Sequence, residues 1–373
     1  ISFHLFYILI CSFILFLYVL SLRFNNRVIQ QAIAQILTKK LDSTFSESSY
    51  GFRPRRSAQM AVLKTLEYIN EGYDWVIDLD IEAYFDTVNH DKLISILREK
   101  NVNDSTTLHL IRKFMQAGIM EDGLVKPSRI GVPQGGPLSP IISNVYLDKF
   151  DKELENRGLR FVRYADDCNI FVKSEMSANR VMKSVTSWLE RKLFLKVSAT
   201  KTKVVRPPES KFLGFTYLQR NGEWKCKPSN QSKMKLYDKC RRELIRRIGI
   251  ARPLAVTFKR INQIVVGWIN YYRIGVMKYF IDVFGQWLRH KIRVIILKQW
   301  KKPRRIYINL QKLNKKLSCH FTDEEIFSVA NTRLGLYRQA CGHVVNFLLS
   351  PKILAIKKKD RPGLVNPLNY YLS

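Results

Sequence analysis

The stretch Phe161–Val172, FVRYADDCNIFV, decides the fold. Apolar and β-branched residues lead up to it and away from it, and a polar break falls at Ala165-Asp166-Asp167-Cys168. That pattern predicts a strand, a tight turn and a second strand, with two adjacent carboxylates at the turn. Neighbouring acids repel, so an unliganded pair is mildly unfavourable, and divalent cations would turn that cost into a binding site. An Asp-Asp dipeptide taken alone is more readily a solvated turn. Other stretches have to change that reading.

The first of them is Trp75–Phe85, WVIDLDIEAYF. Strand alternation puts Ile77, Leu79 and Ile81 on one face and Asp78 and Asp80 on the other. Trp75, Tyr84 and Phe85 argue that this strand is central. Asp86 opens the next segment, and Asn89-His90-Asp91 caps a helix through Leu97. Between the two acidic stretches lies a Gly/Pro-rich loop, Gly131–Pro140, GVPQGGPLSP. Its adjacent glycines permit close approach by another backbone or a nucleotide. Ser139-Pro140 reads as the N-cap and first turn of a helix to about Leu154.

Further out, Asn25–Leu37 has the apolar spacing of an amphipathic helix. A polar, aromatic and basic loop, Phe45–Ser57, follows, with Arg53 and Arg55 in it and Ser57 as the cap of a helix over Ala58–Asn70. A basic loop at a helix start suits phosphate. Downstream of the hairpin, Ser177–Leu193 reads as a helix and Leu195–Val205 as a strand carrying Lys196, Lys201 and Lys203. Lys211–Tyr217 is a further short strand, and Asn221-Gly222 is a hairpin turn leading to Trp224. From about Pro228 helical periodicity takes over and basic residues cluster, Arg246 and Arg247 among them. Gly267–Arg273, GWINYYR, mixes Tyr271, Tyr272 and Arg273 in one aromatic and basic segment.

The chain has 63 Lys+Arg against 31 Asp+Glu, a formal charge of +32. Such an excess points to a polyanionic partner. With 17 Tyr, 21 Phe and 6 Trp, nucleic acid is favoured over a membrane surface, because bases stack on rings while phosphates pair with Arg and Lys. The 6 cysteines contain no Cys-x-x-Cys, which argues for reduced thiols and against a disulfide framework. Cys319-His320 and Cys341-Gly342-His343 fit none of the common zinc spacings. An acid on a central strand, a carboxylate pair on a hairpin turn, a Gly-rich loop and a basic helical region together make the set that polynucleotide synthesis needs.

These stretches resemble the reverse transcriptases encoded by bacterial group II introns, also called intron maturases. The matching blocks are YGFRPRRSA (Tyr50–Ala58), DLDIEAYFDTVNHDKL (Asp78–Leu93), GVPQGGPLSPIISNVYLDKFD (Gly131–Asp151), RYADD (Arg163–Asp167), KTKVV (Lys201–Val205), KFLGF (Lys211–Phe215) and GWINYYRIG (Gly267–Gly275). They occur in the family's order. The resemblance implies an α+β chain with a right-hand polymerase fold, made of partial fingers and a palm with an antiparallel sheet over 23–228. An α-helical thumb or maturase domain over 229–316 and a tail over 317–373 would follow. It implies Asp80, Asp166 and Asp167 as catalytic ligands of two Mg²⁺ ions, selecting Asp80 where strand alternation alone leaves Asp78 open. Phe85 becomes an aromatic gate against a ribose 2′-hydroxyl. Gln134, Gly135 and Lys201 become nucleotide contacts. Arg53, Arg55, Arg246, Arg247, Tyr271, Tyr272 and Arg273 are the candidate RNA contacts.

The implied partners are the intron RNA, an RNA template with a DNA primer, dNTPs and a DNA target. The implied location is the cytoplasm, at the nucleoid. The departure from the family is at the N-terminus, where a further fingers block is expected and Ile1–Leu22 is almost wholly apolar. That segment reads either as a leader foreign to a truncated copy or as a transmembrane helix followed by Arg23 and Arg27. The rival function is a splicing cofactor that binds RNA with an impaired polymerase site, or an inactive truncated copy.

Overall fold

The computed structural model describes residues 26–116, 120–121, 124–125, 130–333, 335–357 and 361–373. The apolar stretch 1–22, with its leader and membrane readings, lies outside the described residues. No helix among the described residues is long and apolar enough to cross a membrane. The chain divides into two compact units. One runs to Leu213 and takes in Tyr217–Trp224; the other is Gly214–Thr216 with Lys225–Ser373.

The first unit opens with helix α1 (26–41) and α2 (Ala58–Asn70), whose cap Ser57 accepts from the Met60 amide. Strand β1 is Trp75–Leu79 and is followed by the single turn α3 (Tyr84–Thr87). Asn89 caps α4 (His90–Glu99) by accepting from the Lys92 amide. Helix α5 (Ser105–Gln116) precedes a short antiparallel pair, β2 (Met120–Glu121) and β3 (Leu124–Val125). Then come α6 (Ser139–Asn156), β4 (Arg160–Tyr164), β5 (Asp167–Val172), α7 (Glu175–Trp188) and β6 (Lys203–Val205). A π-helical turn, Leu189–Leu193, extends α7.

The sheet runs β4-β5-β1-β6 and every pairing is antiparallel. Val76 and Ile77 point to opposite faces of β1, yet both are fully buried. The sheet is therefore covered on both sides there, and the face that carries Asp78 is not a solvent face. Tyr146, Phe150, Phe161 and Ile170 belong to the core beneath.

Several expected elements are shorter in the structure. The strand expected to run to Phe85 stops at Leu79, because the next backbone groups bond elsewhere. The Asp80 amide donates to Thr202 Oγ1 at 3.1 Å, and the Ser198 amide donates to the Asp80 carbonyl at 2.9 Å. Of Leu195–Val205, only Lys203–Val205 is strand. Ser139 is not the cap of α6: Leu138 holds that position without a side-chain bond, and Ser139 Oγ donates to the Pro133 carbonyl at 2.6 Å.

The hairpin β7 (Phe215–Arg220) and β8 (Glu223–Pro228) contains two of the three points where the chain passes between the units. The second unit is helical: α8 (Asn230–Glu243), α9 (Arg246–Ala251), α10 (Leu254–Tyr272), α11 (Lys278–Trp300), α12 (Pro303–Lys316) and α13 (Asp323–Ala330), then shorter turns. Ser229, the expected boundary, caps α8 by accepting from the Ser232 amide. Tyr237 meets Phe284 and Trp287 edge-on, with centroids 5.2 and 4.8 Å away. Such pairs add about 0.5–1.5 kcal/mol each beyond their burial.

Candidate active site

Strand register places the acids. Asp78 pairs with Asn169 and Leu79 with Cys168, the last rung of the ladder, so Asp80 and Asp167 are the residues next to that rung on the two chains. Alternation then puts Asp78, Asp80, Asp167 and Asn169 on one face, and Leu79, Cys168 and Arg163 on the other. Asp167 pairs with Tyr164, which leaves Ala165 and Asp166 as the loop. Ala165 takes the left-handed conformation at φ 59°. That costs a non-glycine residue roughly 1–2 kcal/mol.

The turn is fixed from below by a buried ion pair. Arg163 is fully buried, and its guanidinium donates to both Asp151 oxygens, at 2.7 and 2.5 Å. It also donates to the Ala165 carbonyl at 2.7 Å, Ser49 Oγ at 2.9 Å and Asn144 Oδ1 at 3.3 Å. The segment Ser48–Gly51 runs alongside. The Tyr50 amide donates to the Arg163 carbonyl at 2.8 Å, and the Arg163 amide to the Ser48 carbonyl at 2.9 Å. A Cβ on Gly51 would lie 2.2 Å from the Ala165 nitrogen, so the absence of a side chain is what lets the turn sit there.

Electrostatics separates the carboxylates. Burial, then the charges of Asp78, Asp166 and Asp80, push Asp167 up to about 7. Burial also raises Asp78 to about 6, against the pull of Ser210 and Lys203. Asp78 Oδ1 accepts from Ser210 Oγ at 2.7 Å, which ties it inside the unit. Asp80 lies past the strand end with its side chain 40% exposed, 3.3 Å from Lys201 Nζ. Its Oδ2 is nonetheless a buried atom without a hydrogen bond. A carboxylate cluster in which burial and mutual repulsion raise two of the acids, Asp78 and Asp167, has the all-oxygen donor chemistry of a hard divalent cation. As the side chains stand, no three His, Cys, Asp or Glu groups among the described residues converge closely enough to hold one ion. The donor types, all carboxylate oxygens, are those of a hard cation.

The Gly/Pro loop is rooted next to Phe85. The Val132 amide donates to the Phe85 carbonyl at 2.5 Å and the Gly131 amide to the Val88 carbonyl at 2.8 Å. Phe85 is half-buried and meets Tyr84 edge-on at 5.2 Å. Gln134 and Gly135 form the exposed tip of that loop. Gly135 has φ +82° and open space where a Cβ would be. The Lys201 side chain is 71% exposed.

The expected RNA contacts divide. Arg53 is buried, and this corrects the expectation: its Nε donates to Asp42 Oδ1 at 2.8 Å, and its other donors go to the carbonyls of Asp42, Ser46 and Ser49. Four of its five N–H groups are taken up inside the unit, and its burial keeps the guanidinium from a phosphate. Tyr272 is likewise a core residue. It is buried, its hydroxyl donates to Ser232 Oγ at 2.9 Å, and its ring lies 4.8 Å from Phe215. Arg55, Arg246, Arg247 and Arg273 are exposed. Tyr271 lines a groove of the second unit with Gly267, Lys235 and Lys239.

Sequence reading missed Gly51, Asn144, Asp151 and Arg163 as supports of the turn. Their blocks were visible, but nothing in a linear pattern says that Ser48–Gly51 lies against residues 163–165.

A four-stranded antiparallel sheet with one acid at a strand end and two on the neighbouring hairpin turn is the palm of a nucleic-acid polymerase. The chain belongs to the reverse transcriptase (RNA-dependent DNA polymerase) family, whose pattern matches residues 19–217, just over half of the chain. Residues 233–313 match the group II intron, maturase-specific domain. The chain is similar to "Protein YkfC" of Escherichia coli strain K12, 28% identical over 239 residues, which are 54% of this chain and 62% of that protein. It is also similar to "Group II intron-encoded protein LtrA" of Lactococcus lactis subsp. cremoris, 36% identical over 140 residues, which are 38% of this chain and 23% of that protein. Both matches span less than two thirds of the relative's length. Apo telomerase from Candida tropicalis aligns over 91% of this chain and 60% of its own, at a TM-score of 0.46 and 12% identity, too distant to carry an argument.

Proposed function

We propose that this chain is the RNA-directed DNA polymerase of a group II intron, and that it also assists splicing of the intron RNA and its retrohoming to a DNA target. The observation that supports this best is that Asp80 and Asp167 flank the last rung of the β1–β5 ladder, Leu79 with Cys168, with Asp166 at the turn between β4 and β5. Asp80, Asp166 and Asp167 would hold two Mg²⁺ ions. Bound there, the ions would make the primer 3′-hydroxyl a better nucleophile and stabilise the departing pyrophosphate.

The remaining roles fall to this chain's own side chains. Asp78, bonded to Ser210, keeps the end of β1 in place beneath the acids. Lys201, 3.3 Å from Asp80, would give a proton to pyrophosphate. The Phe85 ring crowds a ribose 2′-hydroxyl and selects dNTPs. Gln134 and Gly135 meet the incoming nucleotide. Arg246, Arg247 and Tyr271 bind intron RNA through phosphate pairing and stacking. A chain of +32 formal charge acting on intron RNA and a DNA target works in the cytoplasm, at the nucleoid.

The test is Mg²⁺-dependent extension of a DNA primer on an RNA template, with Asp166→Ala beside the parent. We expect extension by the parent and a loss of at least about a thousandfold in the variant, the scale of removing a main electrostatic group. Failure of both to extend, with salt-sensitive RNA binding kept, would reduce the chain to an RNA-binding splicing cofactor.

A further inference from the structure

The loop 52–55 of the first unit is built in an unusual way. Phe52 and Arg55 both hold left-handed backbone, at φ 57° and 59°. Both are exposed, Phe52 to 51%. Arg53 between them is buried and ties the loop down through Asp42, Ser46 and Ser49. Asn144 Nδ2 donates to the Gly51 carbonyl at 2.9 Å just ahead of it. Strained residues persist only where their surroundings over-determine them, and they gather at binding sites. Here the interior fixes the loop and an aromatic ring and a guanidinium are presented outward.

The ring has a definite setting. Its centroid is 6.3 Å from that of Tyr164, two residues before Asp166. It also lines a cavity of about 470 Å³, whose other walls include Gln35, Thr38 and Lys39 of α1, with Pro54 and Pro137. That volume suits a nucleotide-sized group. An aromatic face with amide, hydroxyl and ammonium groups around it suits a base, its sugar and its phosphate.

We infer that Phe52 is the platform on which an unpaired template base stacks beside the catalytic turn, with Arg55 taking a neighbouring phosphate. This rests on the polymerase reading above and adds the residues that hold the single-stranded template. The chemistry favours a single strand over a duplex, because only an unpaired base offers its face to a ring.

The experiment uses the full chain and a DNA primer on an RNA template whose single-stranded overhang carries 2-aminopurine next to the duplex end, without dNTPs. The parent is expected to change the 2-aminopurine emission and to bind the overhang duplex about tenfold more tightly than a blunt one, the scale of one base–aromatic stack. Phe52→Gly should lose both effects and melt no lower than the parent, since glycine accepts that φ without strain. Phe52→Trp should keep them. Equal overhang preference in the parent and Phe52→Gly, or none in the parent, would overturn the inference and assign the ring to protein packing. Because no dNTP is present, stacking is read apart from synthesis. Phe52-dependent emission with no primer extension would sink the polymerase reading and keep this site. Primer extension with Phe52-independent emission would do the reverse.

Discussion

Gly51→Ala puts the support of the catalytic turn to a direct test. The added Cβ would lie 2.2 Å from the Ala165 nitrogen, 3.0 Å from the Tyr164 carbonyl carbon and 3.1 Å from Ala165 Cα. Ordinary contact begins near 3.4 Å, so the two backbones must part by about 1.2 Å. Neither is free to move. Ser48–Tyr50 is bonded to Arg163 along the strand, and Asn144 holds the Gly51 carbonyl. On the other side, Arg163 grips the Ala165 carbonyl. Gly51 lies outside the left-handed region, so alanine has no backbone penalty of its own there and the whole effect is steric. Overpacking of this kind costs about 1–3 kcal/mol of stability. A displacement near 1 Å of a reacting constellation costs about a hundredfold in rate. We therefore expect primer extension to fall about a hundredfold while the variant stays folded, as followed by single-turnover extension and by thermal melting. Gly72→Ala is the control, because it meets empty space, carries only the cost of φ +89° and has no part in the site. Extension by Gly51→Ala within about threefold of the parent would refute the idea that this glycine sets the position of the turn.

Four other outcomes follow from the same geometry. Arg163→Met should cost about 3–5 kcal/mol in denaturant melts, because it leaves Asp151 buried without a partner, whereas Arg163→Met with Asp151→Leu should recover much of that loss. Asp167→Asn should remove activity and yet stabilise the metal-free chain at pH 8 by on the order of 1–3 kcal/mol. The folded parent holds the Asp167 proton up to about 7 and the unfolded chain releases it near 3.8. Parent stability should thus fall as pH rises between those values and stay low above them, and the asparagine variant should lose that slope in pH-dependent melting curves. Arg53→Ala should destabilise by about 2–4 kcal/mol through its lost internal bonds. Arg55→Ala should leave the stability within about half a kcal/mol of the parent and weaken RNA binding in a salt-dependent titration.

The hairpin and its acids were legible in the sequence because alternation and a polar break survive any packing. The choice between Asp78 and Asp80 was not, because both point to the same side of an ideal strand. It turns on where the ladder ends, and Ser198 and Thr202 end it by taking the backbone groups of Asp80. Arg53 and Arg163 look alike in a sequence, as charges bound for the surface. Only distant partners, Asp42 for one and Asp151 for the other, make their burial tolerable. Tyr272 carried a hint, since it lies four residues after Trp268 on one helix and the rings meet at 4.5 Å. The covering of both faces of β1, which raises the Asp78 pKa, has no linear signature.

The short segment Gly214–Thr216 bears on how this protein can be dissected. It belongs to the second unit, although Tyr217–Trp224 returns to the first. Phe215 in that segment is fully buried and packs on Tyr271 and Tyr272. A tempting cut ahead of α8, at Ser229, would give an N-terminal fragment that carries Phe215 away from its ring partners. It would also leave the C-terminal fragment with a vacancy where that ring had been. Both pieces would expose sticky aromatic surface. Recombinant halves should be soluble only if the helical half is supplied with its missing hairpin, for instance by a permuted chain that begins before Gly214.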